Sequence, residues 1–514
     1  MAKAKSDSLF SLVKSLTQTE KRHFRLYVNR SGNTQDVKFI KLFDAMDCLK
    51  KYDDKEILKR VPSIKKSQLS NQKANLYKQI LSSLRRYHIG QNVDIQLREN
   101  LDHAKVLYNK GFYKQALKML DKTKALARET KHFTIALEVM EFEKQIESQY
   151  ITRSIENRAE TLTDEVLATT DIIKSSHRLS NLTLNLYSLF LKHGYAKNQK
   201  EFDEVSTYFY SHMPQINFEN LTFYEQLYFY QAHVWFNKII QNFPNVYKHS
   251  LSWVKLFQDN PEMIKKQPVH YIKGYRNLLG SLFQLQYYSK FCEVLKEVEE
   301  LSQNKEIIQN LNTEVLVFQF LYISKINKHF MEGSFDEGVE MVPELMQKLE
   351  RYQNKIDPER VVMMYYKIAS LYFGSGNFRK AIFYLNQIIF YQDIKLREDI
   401  HCFARILNLI AHFEDGQDYH LEYQIKSTFQ FIGKMNQQQA VQREIINFLR
   451  ITGKITPDQL RDEFIKLYNR LLPLSEDIYE RRPFFYLDIL SYLQSKIENR
   501  PVKLLVQEKF EKLK

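Results

Sequence analysis

The stretch LYFGSGNFRKAIFYL, residues 371–385, places two glycines and an asparagine between two apolar runs. In both runs large apolar residues recur every three to four positions, which is the spacing of one face of an α-helix. These residues are Met364, Tyr365, Ile368 and Tyr372 before the glycines, and Phe378, Ala381, Ile382, Leu385 and Ile388 after them. The stretch therefore predicts two amphipathic helices that meet at a corner.

A phosphate-binding loop is the other structure in which closely spaced glycines precede a helix. Such a loop follows a β-strand and commonly ends in Gly-Lys-Ser/Thr, so that backbone N–H groups and the lysine converge on the phosphate. Gly376 instead follows a helical run and precedes Asn377 and Phe378. We therefore predict a corner, with no nucleotide and no other cofactor.

The composition favours helices over sheets along the whole chain. Hydrophobic residues make up 44% of the 514 residues, and only 13 Gly and 11 Pro are available to form tight turns. Asp357-Pro358-Glu359 is typical of a helix start, with Asp as the N-cap and Pro at the first helical position. The predicted fold class is all-α.

The corner and its two helices resemble one unit of the tetratricopeptide family. The matching positions are Tyr365, Ile368, Ala369, Tyr372, Gly376, Phe378, Ala381 and Leu385, while Ile388 stands where a small residue is usual. A second copy is centred on 106–123, with Ala104 just before it and Leu107, Gly111, Tyr113, Ala116 and Leu120 within it in the same places, and a poorer copy surrounds Gly333. The resemblance implies an α-solenoid of antiparallel helix pairs.

The pattern divides the chain into three predicted segments. Residues 1–93 form a basic helical module, residues 94–450 a tetratricopeptide-like array, and residues 451–514 C-terminal helices that cap the array. By the resemblance, fixed positions of each first helix line the concave face and bind a protein or peptide partner. They map to Arg98, Lys105, Tyr108, Tyr366 and Phe373. Burial of Tyr366 and Phe373 under the next helix pair is the open alternative.

The positive charge is concentrated at the N-terminus. Residues 1–90 hold 20 Lys and Arg against 8 Asp and Glu, whereas the net charge of the whole chain is +14. Residues 57–93 contain no Asp or Glu, and a helix there places one polar face opposite its apolar stripe. That face consists of Asn71, Asn75, Lys78, Gln79, Ser82, Arg85 and Arg86. Such a face could bind nucleic acid, bind an acidic protein, or simply be solvated. Together with residues 56–66 before it, this helix would form a loose helix-turn-helix.

No motif in the chain indicates catalysis or metal binding. HExxH, GxSxG and EF-hand patterns are absent, and Cys48, Cys292 and Cys402 are too far apart for a CxxC site. The most apolar run, VLVFQFLYI at 315–323, is too short to span a bilayer. We therefore predict a non-enzymatic cytoplasmic scaffold that binds a protein or peptide. The alternative is a nucleic-acid or ribonucleoprotein binder that acts through the N-terminal module.

Overall fold

The computed structural model describes residues 8–29, 34–90, 92–149, 157–352, 355–391, 398–416, 425–428, 430–431, 440–452, 457–481, 484 and 488–513. Within these ranges the regular structure is helical and contains no strand. The prediction of an all-α fold is therefore confirmed. The chain packs as two compact units, Met1–Lys174 (unit 1) and Ser175–Lys514 (unit 2).

Unit 1 begins with five helices around a common core. They are α1 (Ser8–Ser15), α2 (Gln18–Asn29), α3 (Thr34–Cys48), α4 (Asp54–Arg60) and α5 (Lys66–His88). The long helix α5 packs against α2. Its predicted apolar stripe faces this core, where Leu69, Leu76 and Ile80 are buried. Burial of this stripe, rather than helix propensity alone, holds α5 in place.

The rest of unit 1 is a run of consecutive antiparallel helices. They are α6 (Val93–Asn109), α7 (Tyr113–Glu129) and α8 (Phe133–Glu147), followed by α9 (Arg158–His193), which contains the boundary between the units. Ala104 and Ala116 are fully buried where α6 meets α7. Small side chains at that crossing let the two backbones approach closely, as the tetratricopeptide resemblance implies.

Unit 2 continues with a long series of helices. They are α10 (Gln199–His212), α11 (Phe223–Ile239), α12 (Phe243–Gln258), α13 (Pro261–Lys266), α14 (Pro268–Gln284), α15 (Tyr288–Gln303), α16 (Leu311–Glu332), α17 (Phe335–Glu340), α18 (Val342–Tyr352), α19 (Pro358–Gly374), α20 (Phe378–Ile389), α21 (Glu398–Glu414), α22 (Ala440–Thr452), α23 (Pro457–Glu476), α24 (Ile489–Glu498) and α25 (Val502–Leu513). No described helix has both the length and the hydropathy needed to cross a membrane.

These helices form pairs, and the first helices of neighbouring pairs lie side by side. The pairs are α11 with α12, α14 with α15, α16 with α17, and α19 with α20. Among the first helices, α14 contacts α16 and α16 contacts α19. A row of this kind buries apolar area between pairs that no single pair buries alone, which is the packing of a solenoid.

The corner between α19 and α20 has the geometry of a helix C-cap. Gly376 has a positive φ of 78°, the left-handed conformation that glycine adopts without strain. The Asn377 N–H donates to the Tyr372 carbonyl at 2.8 Å, and the Gly376 N–H donates to the Phe373 carbonyl at 3.0 Å. Ala381 is fully buried against the partner helix. The glycines therefore form a corner.

The packing around Gly338 explains why the poorer copy near Gly333 departs from the tetratricopeptide pattern. Gly338 stands where the pattern has Ala. A Cβ at this position would lie 2.7 Å from Leu371 Cδ2 and 3.1 Å from His329 Cγ. A methyl group here would force the Leu371 and His329 side chains to shift, whereas glycine fits without any shift.

Candidate functional site

A cavity of about 620 Å³ lies in unit 2, and its walls come mainly from the first helices of successive pairs. Wall residues on each of these helices are spaced by three, four or seven positions, so each helix presents one continuous face. The wall includes Arg276, Gly280 and Phe283 from α14, Phe320, Ser324, Asn327 and Phe330 from α16, and Arg360, Met363, Tyr366, Lys367, Ser370 and Phe373 from α19.

Two arginines and an aromatic ring mark one part of the wall. The Arg276 guanidinium lies 5.0 Å from the centroid of the Phe320 ring, and the Arg360 guanidinium lies 5.8 Å from it. Burial, together with these two arginines, lowers the pKa of the nearby Lys273 ammonium. Two guanidinium groups therefore lie close together here, with Asp357 and Glu359 beside Arg360 on the same wall, and the negative face of the phenylalanine ring attracts both guanidinium groups.

Lys367 lies seven residues after Arg360 on α19, about 10 Å farther along the helix axis. Its Nζ donates to Asn327 Oδ1 at 2.6 Å. The ammonium is also 5.7 Å from the centroid of the Phe283 ring and 5.2 Å from that of Phe330. Burial of the charged group among these side chains lowers the pKa of Lys367 to about 8.

The wall carries further charged groups of both signs. Lys238 lies over the aromatic rings of Phe190 and Trp235, at 5.4 and 5.1 Å from their centroids. The charged side chains on the wall are Lys238, Arg276, Asp357, Glu359, Arg360, Lys367, Asp488 and Lys509. Cations and aromatic rings together line the part of the wall formed by α11, α14, α16 and α19. Such a surface suits a ligand that has both apolar and anionic groups.

The C-terminal helices complete the cavity. Tyr492 of α24 and Val502, Val506, Lys509 and Phe510 of α25 belong to its wall. The Phe510 ring packs edge to face on Tyr288 with centroids 4.6 Å apart. On its exposed side α25 is held by an ion pair of 2.9 Å between Lys503 Nζ and Asp336 Oδ2. The chain's own last helix therefore covers part of the surface that the first helices expose.

The structure places the five predicted groove residues in two different units. Tyr366 and Phe373 lie on the cavity wall of unit 2 and are 3% and 7% exposed, respectively. In unit 1, Arg98 donates to Asp94, Lys105 lies 3.3 Å from Glu138 Oε1, and Tyr108 donates to Gln149. Tyr366 and Phe373 are thus buried, as the open alternative has it, and they also line the cavity. The binding role of all five residues stays a prediction.

The predicted polar face of α5 is exposed in large part. Asn71, Lys78, Ser82, Arg85 and Arg86 are exposed, while Asn75 and Gln79 are half-buried. Within unit 1, the Arg85 guanidinium lies 3.5 Å from Asp102 Oδ2, and the Arg86 guanidinium lies over the Tyr27 ring at 5.2 Å. The two arginines therefore already have partners, and Lys78 is the more accessible cation of the face.

Sequence reasoning did not find Lys367, Asn327, Arg276 and Arg360. The one available signal was Lys367 itself, a charged residue inside the otherwise apolar run MMYYKIASLYF. The hydrogen bond between Lys367 and Asn327 joins two first helices. Because the two residues lie 40 positions apart in the sequence, no local pattern predicts this contact. Within the described ranges, no group of three His, Cys, Asp or Glu side chains is placed to hold a metal ion.

Comparisons with known proteins assign no family. No protein-family model and no curated protein sequence matches the chain. Among solved structures it is similar to the apo form of the quorum sensor NprR from B. thuringiensis. The TM-score is 0.38 at 10% sequence identity, over 82% of this chain and 99% of that one. A TM-score of this size carries no functional assignment to the chain.

Proposed function

We propose that the protein is a non-enzymatic, tetratricopeptide-like scaffold that binds a peptide segment of a partner protein in the cavity of unit 2. The observation that supports this function is the cavity wall. Aromatic rings and cations from four successive first helices face one space of about 620 Å³. Pockets of this size with a few charged groups bind ligands of several hundred daltons, such as three or four residues of a peptide.

A peptide suits this wall better than a flat protein surface does. An extended peptide inserts alternate side chains into a concave site, and aromatic residues on the wall supply apolar contact area at little entropic cost. Phe283, Phe330 and Phe373 offer such contacts. We expect bound peptides to carry apolar side chains together with at least one acidic residue, because cations share the wall with the rings.

Gly280 gives a clean test of this function. It lies on the cavity wall, and a Cβ added there has no heavy atom within 4 Å, so a large side chain fills the cavity without a clash at its base. Peptides are first selected on the wild-type protein from a displayed library, and their affinity is then measured by fluorescence anisotropy. We expect Gly280→Trp to weaken binding at least tenfold.

Gly90→Trp is the matched control. Gly90 is exposed in unit 1, and its added Cβ also has no heavy atom within 4 Å. This variant carries the same new side chain outside the cavity, and we expect it to bind as the wild type does. Equal affinities of the wild type and the Gly280→Trp variant would show that peptides bind elsewhere.

Nucleic-acid binding by α5 is the second candidate function. Its support is the exposed outer side of a helix that has no Asp or Glu, including Lys66, Asn71 and Lys78. Phosphate contacts make such binding strongly salt-dependent. We expect Lys66→Glu with Lys78→Glu to abolish any binding to duplex DNA or RNA at low salt. Absence of binding by the wild type under that condition excludes this candidate. The predicted cytoplasmic location stays a prediction.

A further inference from the structure

The Lys367 side chain is half-buried in the cavity wall, and its ammonium has an incomplete set of hydrogen bonds. An ammonium has three N–H donors, and Asn327 Oδ1 accepts one of them at 2.6 Å. Within the described part of the chain, no carboxylate oxygen lies within 4 Å of Nζ. Phe283 and Phe330 contribute ring faces, which attract a cation but accept no conventional hydrogen bond. Among the residues that the structure describes, this charge therefore has no anionic partner.

Keeping such a cation costs stability, and an apolar residue in its place would avoid the cost. Long side chains that occupy cavities usually turn their charge toward water, as lysines do on protein surfaces. The Lys367 ammonium is fixed in the cavity wall by its bond to Asn327, on the neighbouring first helix. A cation in a cavity wall without a carboxylate partner is a candidate site for the anionic group of a ligand.

The surroundings of Lys367 indicate the rest of the ligand. The two phenylalanine rings beside the ammonium provide an apolar surface, and Gly280 leaves the neighbouring part of the α14 face open. Asp357 and Glu359 lie at the start of α19, more than two turns before Lys367. No carboxylate of α19 is therefore a near neighbour of Lys367 along the helix. An apolar body with one negative charge fits this arrangement.

We propose that the cavity binds the anionic group of an amphiphilic ligand at the Lys367 ammonium, with the apolar body of that ligand against Phe283 and Phe330. This inference rests on the proposed function, since it names the chemistry of the segment that the cavity receives. The shared chemistry is a carboxylate or sulfonate joined to an aromatic or aliphatic body. An acidic peptide and a small amphiphilic acid both provide it.

A pair of fluorescent probes tests the site. The probe 1-anilinonaphthalene-8-sulfonate carries a sulfonate, and N-phenyl-1-naphthylamine has the same aromatic body without the charge. We expect Lys367→Met to weaken binding of the sulfonate about tenfold, the usual effect of losing one charge-assisted hydrogen bond. Affinity for the neutral probe should change less than twofold. Far-UV circular dichroism confirms that each variant is folded, and Lys367→Gln repeats the test with a different side chain.

Two further variants separate the possible outcomes. Lys255→Met removes an exposed lysine of α12 and should leave both affinities unchanged, whereas Gly280→Trp should weaken both. If Gly280→Trp blocks both probes but Lys367→Met affects neither, the cavity is a ligand site without an anion subsite, and this inference is wrong. If Gly280→Trp affects neither probe, or the wild type binds neither, the cavity is no ligand site and the proposed function fails with it.

Competition distinguishes the two sources of the anion. The bound sulfonate is challenged with decanoate, with decanol, and with a selected hexapeptide in its Glu and Gln forms. Displacement by the Glu peptide, and much less by the Gln peptide, supports both the anion site and the peptide function. Displacement by decanoate alone supports the anion site and contradicts the peptide function. Equal displacement by the charged and uncharged member of each pair contradicts the anion site.

Discussion

Gly376 turns the chain in a conformation that three other corners reach without glycine. Lys131, Gln241 and Gln286 have φ values of 62°, 59° and 57°, while Gly111 and Gly376 have 81° and 78°. At each corner the next residue donates its N–H to a carbonyl five residues earlier, as Tyr287 does to Leu282 at 3.0 Å. The hydrogen bonds of the C-cap and the packing of the pair thus hold even a glutamine in the left-handed region.

Two substitutions measure the conformational cost at these corners. Gly376→Ala should lower the free energy of unfolding by about 1 kcal/mol, because the added Cβ meets no atom within 4 Å and only the positive φ opposes it. Gln286→Gly should raise the free energy of unfolding by up to about 1 kcal/mol, because glycine relieves the strain of the positive φ. The gain is reduced by the loss of the hydrogen bond that the Gln286 side chain donates to the Phe283 carbonyl. Urea unfolding followed by circular dichroism provides both values. Changes of the same sign at the two positions would contradict this account.

Lys367 should reduce stability at neutral pH. Its pKa of about 8 in the folded protein is below its ordinary value of 10.5, so the folded state binds fewer protons than the unfolded state between these pH values. Stability therefore rises with pH across that interval. Lys367→Met should raise the free energy of unfolding of unit 2 by about 1 to 2 kcal/mol at pH 7, and by less at pH 10.

Urea unfolding at the two pH values, with Lys255→Met as control, checks this prediction. A loss of stability in Lys367→Met at pH 7 would show that the ammonium contributes to folding rather than to binding. A gain in stability together with weaker binding of anions is the usual pattern of a residue kept for function.

At the scale of single elements, the position of α25 is a feature that the sequence does not predict. Its basic amphipathic pattern predicts a helix in the C-terminal cap, but it does not indicate which surface that helix packs against. The structure brings Val502, Val506 and Phe510 to the cavity wall and pairs Lys503 with Asp336, 167 residues away. Contacts over such distances depend on the assembled array, and no local spacing encodes them.

The docking of α25 should depend on the contact between the Phe510 and Tyr288 rings. Phe510 is 8% exposed and packs on Tyr288, so Phe510→Ala removes the largest buried group of the helix. We expect amide hydrogen exchange of residues 502–513 to accelerate at least tenfold, with α14, α16 and α19 unchanged. Lys512→Ala, an exposed position on the same helix, is the control. Unchanged exchange in Phe510→Ala would mean that the ion pair and α24 hold the helix instead.

At the scale of the whole molecule, the sequence predicts the type of architecture better than the site. Ala116 and Ala381 are fully buried as the helix-pair pattern requires, since small residues at crossings and periodic apolar faces are local properties. Unit 1 ends at Lys174 in the structure, whereas the predicted boundaries at residues 93 and 450 follow composition and stay predictions. The residues that line the cavity range from Tyr187 to Phe510 in the sequence. Their charged side chains come close together only through tertiary packing, so no local pattern predicts the site.

The central claim is that the cavity of unit 2 receives an anionic ligand at Lys367, and proton uptake on binding tests it most directly. At pH 8 about half of the free Lys367 side chains are protonated, and a bound anion should raise the pKa and complete the protonation. Titration calorimetry of 1-anilinonaphthalene-8-sulfonate in phosphate and in Tris at pH 8 measures this uptake from the difference in heat. We predict about half a proton taken up by the wild type, none by Lys367→Met, and at least tenfold weaker binding to Gly280→Trp. Equal uptake by the wild type and Lys367→Met, or wild-type binding with no uptake, would contradict the claim.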